Sequence, residues 1–188
     1  GRAAIERLQG AGVVGIRLDL VGRNVPALAE PPWQGFIHKI GWRGLHLDID
    51  AAGDQWAEIL PPLLDAGVRV VIDHFGRPRG GRECRGFRAI LDAGRHGDLW
   101  VKLSAPEAGS DAAAADCAAS LLDALGPGRL LWGSDLAPTQ QHEYRAALDR
   151  LATWIPDAAT RQRVLVDSPA QLYGFGVPSD GASWASLV

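Results

Sequence analysis

The chain has 188 residues, 47 % of them apolar, with 19 basic against 22 acidic residues and a formal charge of −3. The apolar share supports a real core within one domain, or part of a larger one, and the acidic balance argues against a nucleic-acid partner. No apolar stretch reaches the roughly 18 residues needed to cross a bilayer and no secretory leader opens the chain, so a cytoplasmic protein without a membrane partner is expected.

In chain order, Ala3–Leu8 reads as a helix and Gly12–Leu20 as a strand, followed by a Pro-containing loop and a helix near Trp33–Ile40. Leu45–Ile49 is an alternating strand. Asp54 is placed to cap the next helix, which Pro61–Pro62 should break or restart before Ala66. Val68–Asp73 is a third strand, and Pro78–Arg82 leads into a helix at Cys84–Ala93. Leu99–Leu103 is a fourth strand, and Asp111–Leu125 an Ala-rich helix ended by Gly126–Pro127. Leu130–Trp132 is a fifth strand, with helices expected at His142–Thr153 and Ala158–Val166.

Strands alternating with helices specify an α/β fold with a parallel sheet. No G-x-G-x-x-G follows a strand, so the dinucleotide version of an open sheet has no support, and a (β/α)₈ barrel is the competing architecture. The chain begins at Gly1 and contains no Met, which suggests that an N-terminal portion is missing. Three absent βα units of about 30 residues each would complete a barrel. The expected division is residues 1–177 as the partial barrel domain and 178–188 as a tail. The expected partner is a small-molecule substrate.

Strand ends in such a fold point into the ligand mouth, which singles out particular residues. His74 closes the third strand and Arg77 follows three residues later. Asp73, its neighbour, should point to the opposite side and serve structure. Asp135 follows the fifth strand and reads as a site carboxylate or a helix cap. Lys102 and Ser104 alternate and so share a face, with Lys102 either in the site or in a structural ion pair at the mouth. His46 is better read as a core or rim histidine than as a ligand. Seventeen of the basic residues are arginine. GC-rich coding accounts for most of them, and carboxylate recognition stays open only at strand ends. Cys84 and Cys117 share no metal-ligand spacing and read as reduced thiols.

Four segments occur in an order that resembles one group: Asp73-His74-Phe75-Gly76-Arg77-Pro78, Val101-Lys102-Leu103-Ser104, Leu131-Trp132-Gly133-Ser134-Asp135 and Pro169-Ala170-Gln171-Leu172-Tyr173-Gly174-Phe175. That group is the amidohydrolase superfamily, in its branch of predicted TIM-barrel metal-dependent hydrolases, and the chain is similar to the 2-pyrone-4,6-dicarboxylate lactonases. The resemblance implies a TIM-like (β/α)₈ barrel of which this chain supplies about the last five βα units, without the His-x-His pair of the first strand.

It further implies a hydrolase acting on a carboxylated small molecule, a cyclic ester. Asp135 would be the base for the attacking water and His74 would polarise the carbonyl. Arg17, Arg23 and Arg77 match arginines that bind substrate carboxylates, and Lys102 and Ser104 would line the same pocket. The cofactor is either none or a divalent zinc or manganese, held by His74 and Asp135 together with the His-x-His pair missing from this chain. There are departures: Ala105-Pro106-Glu107-Ala108 lacks the family's further Arg, Leu136-Ala137-Pro138 replaces Trp-Pro-His, and Ser168-Pro169 replaces Asn-Pro. These leave the substrate open. Relatives in the same branch keep open a metal-dependent decarboxylase of an aromatic or unsaturated acid, and the missing strands an inactive partial barrel whose exposed edges pair with a second copy as a homo-oligomer.

Overall fold

The computed structural model describes residues 2–104 and 110–175. The expected tail and the departure at Ala105–Ala108 therefore lie outside the described residues.

The β-branched and apolar runs become five strands: β1 Gly15–Asp19, β2 His46–Asp50, β3 Val70–Ile72, β4 Leu99–Leu103 and β5 Leu130–Trp132. All pairings are parallel, and each strand lies beside its sequence neighbour in the order β1-β2-β3-β4-β5. A doubly wound sheet reverses its order at a switch point; this sheet does not, which is the succession of a (β/α) barrel. Helices α1 (Arg2–Gly10), α2 (Pro31–Trp42), α3 (Trp56–Asp65), α4 (Arg85–Gly94) and α5 (Asp111–Leu125) precede the five strands in turn, and α6 (Tyr144–Trp154), α7 (Ala158–Gln162) and α8 (Ser168–Tyr173) follow β5.

Alternation along the strands sorts the side chains into two faces. Leu47, Ile49, Val70, Ile72, Val101 and Leu130 point outward and pack with Ile37, Ile40, Ile59, Phe87, Ile90 and Leu121 of the helices. Val71, Trp100 and Leu131 point the other way and form a small cluster with Leu172 and Tyr173 of α8. Toward the strands' C-terminal ends that inner face becomes polar, with Arg17, Asp48, Asp50, Lys102 and Ser104. Every one of these comes in step with the apolar residues below it, because Arg17 pairs with Asp48, Asp48 with Val71, and Val71 with Trp100.

Three local expectations are corrected. Asp54 does not cap α3; the Gln55 side chain accepts from Ala52 N, and Asp54 Oδ1 accepts instead from Cys84 Sγ. Pro61 and Pro62 do not break α3. Two ladder bonds are lost, but Ile59, Leu60 and Leu63 are buried along the same face and hold the helix by packing. Beyond Val166 the chain stays helical, through a π turn at Arg163–Asp167 and into α8, with Ser168 Oγ donating to Pro127 O.

The start of α4 rests directly on the β2–α3 connection. A Cβ at Gly86 would lie 1.6 Å from the Gly53 carbonyl oxygen, a backbone atom that cannot swing away. Gly86→Ala is therefore expected to lower stability by about 1–3 kcal/mol, read as a lower urea midpoint. An unchanged midpoint would show that α4 is free to slide.

Candidate active site

The chain leaves β3 through an unusual backbone. His74 (φ 50°), Phe75 (φ 56°), Gly76 (φ 77°) and Arg77 (φ 48°) are four consecutive residues in the left-handed region. For L-residues this costs about 1–2 kcal/mol per residue, so the surroundings must over-determine it. Phe75 is buried and meets Trp154 edge-on at 5.4 Å. Trp56 Nε1 donates to Gly76 O at 2.8 Å, and Arg77 N donates to His74 O at 2.7 Å. Gly76 is required here, since a Cβ would fall 2.3 Å from Ile90 Cδ1.

With about three residues per turn, His74 and Arg77 emerge on one side, and both face Asp50 at the end of β2. Arg77 donates from Nε to Asp50 Oδ1 at 2.5 Å and from Nη2 to Oδ2 at 2.9 Å. His74 Nε2 lies 3.7 Å from Asp50 Oδ2. On its other edge, His74 Nδ1 is 2.8 Å from Ser104 Oγ and 3.8 Å from Asp135 Oδ2. Asp135 itself is left-handed (φ 54°), on the rim just beyond β5.

An ion network lies beside this turn. Arg17 donates to Asp73 and, at 3.1 Å, to Asp50 Oδ2. Lys102 Nζ donates to Asp48 and lies 2.9 Å from Asp73 Oδ1. Three cations, Arg17, Arg77 and Lys102, thus meet three carboxylates, Asp48, Asp50 and Asp73. Burial alone would push Asp50 up, but the hydrogen bonds from Arg77 and the charges of Arg77, His74 and Arg17 hold it below the usual carboxylate range. Burial wins at Asp48, whose carboxyl is raised despite Lys102. Lys102 is raised, because its bonds to Asp48 and Asp73 outweigh the opposing effect of burial.

A cavity of about 340 Å³, large enough for a small molecule, opens on this chemistry and is lined by Arg17, Asp73, His74, Lys102, Ser104, Trp132, Gly133 and Asp135. It brings together Arg17, His74, Lys102, Ser104 and Asp135 from the sequence-derived set. Two members of that set lie elsewhere. Arg23 sits exposed in the turn past β1, where its carbonyl accepts from Gln55 Nε2. The Arg77 guanidinium is largely buried on Asp50 and does not line the cavity, because the left-handed turn aims it along the sheet.

Asp73 is the plainest correction. Strand alternation puts it inward in step with Val71, and its carboxylate binds Arg17 and Lys102. His74 also reaches the cavity, only because its positive φ breaks that alternation. Asp50, Asp73 and Trp132 were missed as site residues. The polar spacing His46-Leu47-Asp48-Ile49-Asp50 was the available signal for Asp50. His46, by contrast, is a core residue as expected: it is buried at the opposite end of β2 and edge-on to Tyr173 at 5.6 Å.

Asp50, Asp73 and His74 offer ligand atoms within 4.8 Å of one another, a possible cation group. The carboxylates in that group are already bound by Arg77, Arg17 and Lys102. A divalent ion there would face three fixed positive charges, so these residues do not by themselves fit a metal. Asp135, expected as a metal ligand with His74, is not part of that group.

The comparisons with known proteins agree with this architecture. The chain is 28 % identical over 152 residues to a 4-sulfomuconolactone hydrolase of Rhizobium radiobacter, covering 74 % of this chain and 50 % of that protein. It is 31 % identical over 182 residues to a D-galactarolactone isomerase of Agrobacterium fabrum, covering 90 % and 61 %. It thus spans about half to three fifths of the length of these curated relatives. The crystal structure of a 2-pyrone-4,6-dicarboxylic acid hydrolase from Pseudomonas putida, described as putative, superposes with a TM-score of 0.85 at 31 % identity, over 94 % of this chain and 69 % of that one. The amidohydrolase family model matches residues 2–175, nearly the whole chain, and the chain belongs to that family.

Proposed function

We propose that this chain carries the catalytic end of an enzyme that hydrolyses a cyclic ester of a carboxylated small molecule. The observation that carries the proposal is the convergence of the Asp135 carboxylate and the His74 imidazole, 3.8 Å apart, on a cavity that Arg17 and Lys102 also line. Asp135 is the base that deprotonates the attacking water, His74 serves the carbonyl that is attacked, and Arg17 orients the substrate's carboxylate. The named relatives lend support, since a muconolactone, a galactarolactone and a pyrone are all cyclic esters.

Arg17 is the suited clamp because its side chain is 48 % exposed while three carboxylates, Asp48, Asp50 and Asp73, hold it in place. Metal-dependent decarboxylation is the weaker reading, because the metal site it needs includes a His-x-His pair that this sequence does not contain.

The test compares a carboxylated lactone with its neutral methyl ester. Since a hydrogen bond to a charged group contributes about 1.5–3 kcal/mol, kcat/KM should favour the acid by about tenfold or more, and Arg17→Ala should remove that preference. Equal use of both compounds by the wild-type protein would overturn the clamp.

A further inference from the structure

We propose that this cavity accepts a lactone carrying one carboxylate and rejects one carrying two. The inference rests on ester hydrolysis at this pocket and narrows its substrate class.

The balance of charge at the wall comes first. Among the described residues that line the cavity, the fixed cations are Arg17 and Lys102, and the carboxylates are Asp73 and Asp135. The wall is therefore balanced before anything binds. Lys102 is already committed, because its largely buried ammonium lies between Asp48 and Asp73. His74 has a carboxylate facing each ring nitrogen, Asp50 at 3.7 Å and Asp135 at 3.8 Å, so any positive charge on the ring is matched in advance. Arg17 differs. It donates to Asp73 and Asp50, but a guanidinium has five N–H groups and about half of this side chain is exposed. It can hold one further carboxylate.

No second clamp stands beside it among the described residues. Arg77 is held on Asp50 through two nitrogens, behind the wall. Arg23, Arg79 and Arg82 are exposed on the connections after β1 and β3, and none of them lines the cavity. Residues 51–55 after β2, 104–110 after β4 and 133–141 after β5 contain no Lys, Arg or His.

One carboxylate on Arg17 thus leaves the wall with net negative charge. A second would enter a space of about 340 Å³ beside Asp73 and Asp135 with no cation to meet it, and like charges brought together there repel. The remaining polar groups suit uncharged partners. The Ser104 hydroxyl both donates and accepts, and Lys102 has a third N–H beyond the two directed at Asp48 and Asp73. A carbonyl, a ring oxygen or a hydroxyl is served by these groups. The substrate that fits is a monocarboxylated lactone whose other substituents are neutral.

The experiment measures binding to the folded chain by NMR titration near neutral pH, with three flat rings of nearly one size: furan-2,5-dicarboxylate, 5-carbamoylfuran-2-carboxylate and furan-2,5-dicarboxamide. None is an ester, so the readout does not need the hydrolytic step. A carboxamide keeps the shape of a carboxylate and removes its charge. The mono-acid is expected to bind about tenfold or more tightly than the diacid, and Asp135→Asn should narrow that gap. A diacid bound as tightly as the mono-acid would overturn the one-carboxylate inference and leave lactone hydrolysis standing. An unchanged gap in Asp135→Asn would remove Asp135 from the rejection. A mono-acid bound no better than the neutral diamide would overturn the Arg17 clamp itself, and with it the reading on which the inference rests.

Discussion

Asp135→Asn is expected to lower kcat for lactone opening by about 10²-fold or more, with a much smaller change in KM. The substitution keeps the shape of the side chain and removes only the ability to take a proton. It also suits the backbone, because Asn tolerates the left-handed region as well as Asp does, and residue 135 has φ 54°. The fold and the rim of the cavity should therefore survive. Steady-state kinetics on the two proteins decide the matter. If kcat is unchanged, another group activates the water.

A second large effect is expected at Lys102, and it concerns stability. Lys102→Met leaves Asp48 and Asp73 without their ammonium partner, although the side chains of all three are at least four-fifths buried. Removing one partner of such a set costs about 3–5 kcal/mol, partly offset here because Arg17 also contacts both carboxylates. At roughly 2–4 °C per kcal/mol, Tm should fall by about 10 °C.

The pH dependence has a definite sign. Lys102 is raised in the folded chain, so its contribution is complete below the unfolded value of about 10.4 and disappears as pH rises through the folded one. The gap between wild type and variant should therefore close in strong alkali. Burial already raises Asp48, and loss of Lys102 raises it further. A carboxylate with a raised folded pKa regains stability as pH falls, so the variant should recover on the acid side. Thermal melts across pH measure both limbs. A variant as stable as wild type at pH 7 would contradict the network.

The fold was legible in the sequence wherever burial sets the pattern. The runs at Val70–Ile72 and residues 99–101 are apolar on both faces, as buried parallel strands are, and Gly126 marks the end of α5 with its φ of 72°. Proline chemistry alone misled at Pro61–Pro62, because packing of Ile59 and Leu63 outweighs two missing donors.

The candidate site was legible where a residue lies on a strand in phase, as Arg17, Lys102 and Ser104 do. It was misread at Asp73, because alternation alone leaves only one of Asp73 and His74 facing inward. Asp73 stays in phase with Val71, and His74 faces inward as well because of a left-handed turn that contacts from Trp56 and Trp154 hold and no local pattern announces. Arg77 was misread for the same reason. A charge at a strand end reads as ligand binding until its partner, here Asp50 from another strand, is known.

Ring opening in H₂¹⁸O is the most direct trial of ester hydrolysis at the acyl carbon. One ¹⁸O atom per turnover should enter the new carboxylate, and the freed hydroxyl should keep ¹⁶O. Label in the hydroxyl, or a changed product carrying no label, would contradict it.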